Sequence, residues 1–259
     1  MKKIVSLILS MAMLFCVAFS LTSCGPKGKT LAEVLEAGEL VVATSPDFPP
    51  FENLEGGEVV GIEVEIMALI CEQLGVDFVI EEMDFDSVLP GIQAGKFDCG
   101  MSGITVTPDR EKNVLFADVY YVAAQAIVVP ADSDIDSKAD LDGKKVSVQE
   151  GTTAEDFCLD EGYEVKGFKA NSDAKNEMTS GRVDAWVVDN LTAKQMCEGD
   201  DTVKILDEFM TEEPYAFAFT FGSEDLVEAI NEIIADLIAD GTIAAIFEEY
   251  GVAYEAPEN

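Results

Sequence analysis

The chain has 259 residues, with 16 Lys+Arg against 51 Asp+Glu and no histidine, for a net charge of −35 at pH 7. A hydrophobic content of 48% supplies real cores, so an acidic disordered tail is excluded, and the length suits one large domain or two lobes of roughly 100–120 residues. The acidity argues against a nucleic-acid partner, whose phosphates need a cationic face, and the lack of histidine removes His-based triads, His-ligated metals and imidazole bases.

Residues 1–23 begin with Lys2 and Lys3 and continue as an apolar run from Ile4 to Leu21, the layout of an export signal. The run stops at Leu21-Thr22-Ser23-Cys24-Gly25, which resembles a bacterial lipobox whose cysteine becomes the lipidated first residue. A lipidated Cys24 is therefore expected, with residues 24–37 forming a tether and a first short helix. The mature chain keeps 14 basic against 51 acidic residues, a net charge of −37, and has no second apolar stretch long enough to span a bilayer. Cys16 leaves with the signal. Cys71 and Cys99 fall in apolar segments and read as core residues. No CxxC spacing supports zinc or thioredoxin chemistry, and pairing of Cys158 with Cys197 stays open.

Further along, residues 39–44 (ELVVAT) read as a buried strand. Residues 61–75 read as a helix, with Ile62, Ile66, Leu69 and Ile70 on one face and Gly75 at its end. A strand over 76–81, a short helix over 87–94 and a strand over 97–101 follow, an alternation that argues for an α/β sheet. An Asp-rich stretch then covers 131–143. As a calcium loop it fails twice, because position six needs Gly and is Ser137, and position twelve needs Glu and is Gly143. A solvated loop is expected there.

A second alternation has strands at 145–149, 164–168 and 183–188 and helices at 153–160 and 172–180. Residues 214–221 alternate Tyr215, Phe217, Phe219 and Phe221, the pattern of one more strand. Leu226, Ile230, Ile233, Ile234 and Leu237 keep a helical period up to Gly241, and 243–250 makes a closing helix. No internal repeat stands out. The expected architecture is α/β with two lobes, 38–127 plus 221–255 forming the first and an inserted 128–220 forming the second.

The most informative segment is 95–110 (GKFDCGMSGITVTPDR). A strand end followed by Ser102, Gly103 and Thr105 gives a polar turn with N–H and hydroxyl donors, and Arg110 lies within reach. A guanidinium matches two carboxylate oxygens, so this combination reads as a carboxylate clamp.

With its surroundings, the segment resembles the family 3 extracellular solute-binding proteins, which feed polar amino acids to ABC importers. The landmarks run in order from Leu31 to Tyr250: LVVATSPDFPPFE (40–52), GIEVEIMALICEQLG (61–75), MDFDSVLPGIQAGKFD (83–98), SGITVTPDREKNVLFADVYY (102–121), QEGTTAED (149–156), GRVDAWVVDN (181–190) and NEIIADLIADGT (231–242). The resemblance implies a type II periplasmic-binding-protein-like fold, two α/β lobes joined by a two-strand hinge and closing on one free amino acid. Arg110 would bind the α-carboxylate, with Thr105 heading its segment and Ser102 and Gly103 touching carboxylate and amino group. Asp189 would hold the α-ammonium, a role compatible with capping the helix that starts at Asn190. Phe48 and Phe85 would flank the ligand side chain, and Gln149 and Thr153 would approach it from the second lobe. Ser45 stands where receptors for cationic or amide side chains often place Asp. That departure weakens a Lys/Arg preference, although Asp47 and Glu52 are near enough in sequence to compensate. A neutral polar ligand such as glutamine, or a smaller or sulfur-containing amino acid, is favoured.

The resemblance further implies a lipid-anchored monomer on the outer face of the cell membrane or in the periplasm. It would work with an ABC permease and use no cofactor or metal. Hinge strands are expected at 126–129 and 215–220, and ligand contacts to both lobes would shift the population toward a closed form. The competing reading is an enzyme on the same scaffold, a cyclohexadienyl or arogenate dehydratase, which needs a positioned general acid. No acidic residue stands out in the sequence for that task.

Overall fold

The computed structural model describes residues 27–257; the expected signal and Cys24 lie outside them. Thr30 and Glu33 form a capping box that starts helix α1 (Leu31–Ala37). Strand β1 (Glu39–Thr44) leads into a small meander of β2 (Asp47–Phe48), β3 (Glu52–Glu55) and β4 (Glu58–Val60). Then come α2 (Ile62–Leu74), β5 (Asp77–Glu82), α3 (Phe85–Gln93), β6 (Cys99–Gly100), β7 (Leu115–Phe116), β8 (Tyr121–Ala123) and β9 (Gln125–Pro130). The middle of the chain forms β10 (Lys145–Gln149), α4 (Thr153–Asp160), β11 (Glu164–Phe168), α5 (Asn171–Thr179), β12 (Ala185–Asp189), α6 (Asn190–Met196) and β13 (Val203–Ile205). It closes with β14 (Glu213–Tyr215), β15 (Ala218–Phe219), α7 (Glu224–Ala239) and α8 (Thr242–Glu249).

Two five-stranded sheets result, in the orders β5-β1-β6-β15-β7 and β11-β10-β12-β9-β13. They share one plan. In each, one strand pairs in parallel on both sides, β1 with β5 and β6 and β10 with β11 and β12, and an antiparallel strand joins next to β6 or β12: β15 from late in the chain in the first sheet, β9 from ahead of β10 in the second. Periodicity explains the helices that cover them: Ile62, Ile66 and Ile70 of α2 and Leu226, Ile230 and Ile234 of α7 are all fully buried. Cys71, Cys99 and Cys158 are buried free thiols and Cys197 is a free, half-buried one, so Cys158 and Cys197 do not pair.

The crossings between sheets differ from the expected hinge strands. Residues 126–129 lie wholly inside the second sheet, paired with β12 on one side and β13 on the other. The expected single strand at 214–221 is broken in two, because Tyr215 pairs with Tyr121 while Ala218 and Phe219 belong to the first sheet. The chain therefore passes between the sheets at an antiparallel ribbon, β8 against β14. Behind it Phe51, Tyr120, Tyr121, Tyr215 and Phe247 pack ring against ring, with centroids 4.9–6.5 Å apart. Among the described residues, no helix is long and apolar enough to cross a membrane.

Candidate functional site

Loops at the carboxyl ends of parallel strands converge between the two sheets, where open α/β sheets leave a crevice. Beyond β1 the short strand β2 brings Phe48, the loop after β6 brings Ser102, Gly103 and Thr105, the turn after β10 brings Thr152 and the first residue of α4, Thr153, and β12 ends at Asp189. With Phe85, Arg110 and Gln149 these residues line a narrow cavity of about 20 Å³, so the two walls stand close. A wider hollow of about 580 Å³ runs beside α6 and the turn after α8, but its charged lining residues are all exposed.

The first wall is fixed from behind. Ser102 Oγ donates to Glu52 Oε1 at 3.0 Å and accepts from the Ser45 amide at 3.1 Å. The Gly103 amide donates to Glu63 Oε2 at 3.0 Å, and the Tyr120 hydroxyl donates to Glu63 Oε1. Glu52 and Glu63 are both fully buried. Desolvation pushes the Glu52 carboxyl well above the usual range, and the neighbouring Glu63 adds to the rise, so burial favours its neutral form. The expected donors of the 102–103 turn are thus already committed: the Ser102 hydrogen and the Gly103 N–H serve this buried acid pair. Gly103 has φ 53°, and a Cβ there would lie 2.4 Å from the Phe48 ring, so only glycine lets that ring rest on the turn.

Arg110 joins the walls. Its Nη1 donates to the Thr105 carbonyl at 2.9 Å and its Nη2 to the Gly151 carbonyl of the second lobe at 3.1 Å, with the guanidinium 5.8 Å from the Phe85 ring centroid. Burial lowers its pKa, which Asp156, Glu213 and Asp189 pull back up; arginine stays charged regardless. Gly151 adopts φ 77°, and a Cβ there would stand 3.0 Å from Asp86 of the first lobe.

Asp189 occupies the cap position of α6 but makes no capping bond. Its carboxylate instead accepts from Gln125 Nε2 at 2.8 Å and from the Tyr215 hydroxyl. Burial pushes its pKa up to about 7, with Glu213 adding to the rise while Tyr215, Gln125 and Arg110 oppose it.

Other contacts cross the cleft at its rim. Asp47 accepts from the Asn171 amide at 2.6 Å and from Gln149 Nε2 at 3.2 Å, and Lys169 bridges Asp86 to Glu150. Ser45 is not among the lining residues; its hydroxyl donates to Asp47 Oδ1 at 3.3 Å. Glu52 cannot compensate for Ser45 as a surface carboxylate, because it lies buried on Ser102. The sequence reading missed Glu63, Glu213, Gln125 and Thr152. Only burial distinguishes those glutamates from the chain's many solvated acids, while Thr152 had the visible signal of preceding a helix with Glu155 three residues on.

The model of the bacterial extracellular solute-binding proteins, family 3, matches residues 40–253. The arginine-binding extracellular protein ArtP of Bacillus subtilis (strain 168) is 32% identical over 244 residues, covering 91% of this chain and 94% of the relative. A mutant of ArgBP from T. maritima superposes with a TM-score of 0.82 at 36% identity, covering 85% of this chain and 98% of that one. An ancestral arginine-binding protein bound to glutamine gives 0.78 at 40% identity, with coverages of 82% and 97%.

Proposed function

The chain belongs to the bacterial extracellular solute-binding proteins of family 3, and on that premise we propose that its cleft captures a free L-amino acid with a neutral polar side chain, glutamine above all, for delivery to an ABC permease. The observation that carries this reading is the charge inventory of the cavity. Its lining holds one cation, Arg110, and one acid, Asp189. An α-carboxylate on Arg110 and an α-ammonium on Asp189 use both. What remains for the ligand side chain is the rings of Phe48 and Phe85 and the second lone pair of Gln149 Oε1, since the Gln149 Nε2 hydrogens serve Asp47 and the Lys169 carbonyl; no second carboxylate lines the cavity to pair with a guanidinium. Thr153 and Thr105 complete the shell, and Ser102 and Gly103 hold its floor.

A ligand that touches both walls favours the closed arrangement, by as much as its binding there exceeds its binding to one wall of the open form. The β8–β14 ribbon is the hinge, and the Asp47–Asn171 and Asp86–Lys169 contacts are the latches that closure makes. Export by residues 1–23 and lipidation at Cys24 would tether a monomer at the outer face of the membrane.

The test is thermal denaturation of protein refolded to strip bound ligand, against each of the twenty L-amino acids. Stabilisation by L-glutamine above L-arginine supports the reading. Stabilisation by L-arginine alone keeps the amino-acid site and overturns the side-chain preference. Silence from all twenty, with turnover of prephenate or arogenate, points to the dehydratase alternative.

A further inference from the structure

Glu213 sits on β14, in the ribbon between the sheets, and is only 2% exposed. Three threonine hydroxyls hold its carboxylate. Oε2 accepts from Thr105 Oγ1 at 2.7 Å and from Thr153 Oγ1 at 2.8 Å, while Oε1 accepts from Thr211 Oγ1 at 2.5 Å. Thr105 and Thr153 belong to opposite walls of the cleft, and both line it.

A threonine hydroxyl has one hydrogen and two lone pairs. With that hydrogen committed to Glu213, each oxygen turns only lone pairs toward the cavity. Gln125 bears this out for Thr153: its amide nitrogen donates to Asp189 and also stands 3.3 Å from Thr153 Oγ1, a contact that needs the hydroxyl as acceptor. Two hydroxyls and the Asp189 carboxylate therefore line the cleft as acceptors.

We propose that Glu213 is a positioning residue: by taking the hydrogens of Thr105 and Thr153 it fixes both as acceptors, and so makes the cleft select ligands that carry an α-ammonium. This rests on the reading of the cleft as an amino-acid site. A group that cannot donate at that place meets lone pairs alone and leaves them unpaired.

Titration calorimetry with two ligand pairs tests it: L-glutamine against glutaramic acid, and L-arginine against δ-guanidinovaleric acid, the second of each pair lacking only the α-ammonium. Because Thr105 and Thr153 share one carboxylate oxygen, a glutamine could still accept from both; Glu213→Leu leaves neither hydroxyl an acceptor there, and their hydrogens turn toward the cleft. The amino acid is then expected to weaken by about tenfold or more while its des-amino partner changes by less than about threefold. Equal weakening of both partners would mark a purely structural role, and no weakening of either would mark none; each overturns the inference. If Glu213→Leu does not unfold cooperatively, Thr105→Val carries the same test, with a narrowed ratio expected and an unchanged ratio overturning it. A wild-type protein that binds neither amino acid overturns the reading of the cleft along with the inference. Unchanged selectivity in variants of a wild type that does bind overturns the inference alone.

Discussion

The two walls of the cleft both rest on buried carboxyl groups, but hold them in opposite places. In the first lobe Glu52 and Glu63 lie behind the wall with no ion pair to a cation among the described residues; burial favours the neutral form of Glu52, and donors from Ser102, Gly103 and Tyr120 occupy Glu52 Oε1 and both Glu63 oxygens, while Glu52 Oε2 has no partner. In the second lobe Asp189 is the wall itself, facing the cavity with Arg110 as the nearest counter-charge. The difference assigns the labour of binding. The first wall is a finished scaffold whose hydrogen bonds exist before any ligand arrives, whereas the second keeps a carboxylate that a ligand cation would complete.

Removing the shared cation breaks the comparison most severely. Arg110→Ala leaves a ligand carboxylate without its partner, and calorimetry is expected to show a loss of at least about 3 kcal/mol in binding free energy. Next comes the scaffold. Glu63→Gln replaces one of two accepting oxygens with an amide nitrogen, so either the Gly103 N–H or the Tyr120 O–H meets a donor. Urea denaturation should show a stability loss of about 2 kcal/mol, with weaker amino-acid binding as the turn loosens.

Acidity sharpens the contrast further. The Asp189 pKa of about 7 means that below neutrality an ammonium must displace a proton. Affinity is expected to fall by up to about tenfold for each pH unit below 7, and Asp189→Asn should abolish that slope. The ligand-free fold obeys the opposite sign: a raised acid pKa means the native state holds the extra proton, so its contribution is full below 3.8 and lost as pH rises through about 7. The smallest effect belongs to Glu52→Gln, which replaces an already neutral carboxyl. At acid pH stability should stay within about 0.5 kcal/mol of wild type. Above the ordinary carboxyl value of 4.5 the decline in stability with pH should be shallower than in the wild type, because Glu52 no longer has to be held protonated. A steeper decline in chemical-denaturation scans from pH 5 to 9 would contradict a neutral Glu52.

Much of this molecule could be read before its structure. The strands 39–44, 145–149 and 164–168 and the helix 153–160 fall where their apolar patterns place them, because burial of one face leaves a period in the chain. The meander strands within 47–60 and the ribbon strand 121–123 are too short to show a period, and the ribbon strand 213–215 was hidden inside the longer alternation read at 214–221. The shared plan of the two sheets was equally hidden, since an apolar pattern specifies which side chains are buried and not which strands are neighbours. At the cleft, Arg110, Phe48, Phe85 and Asp189 stood on recognisable landmarks, and the structure brings them around one cavity. Glu63 and Glu213 did not stand out, and Glu52 was noticed only for its nearness to Ser45, because among 51 acidic residues a buried glutamate looks like any other until its neighbours are known.

The most direct test of the binding account is a crystal structure of the protein with L-glutamine. The α-carboxylate is expected within hydrogen-bonding distance of Arg110, the α-ammonium on Asp189, and the side chain between Phe48 and Phe85 with its amide toward Gln149. An amino acid seated with its carboxylate away from Arg110, or bound outside this cavity altogether, would contradict it.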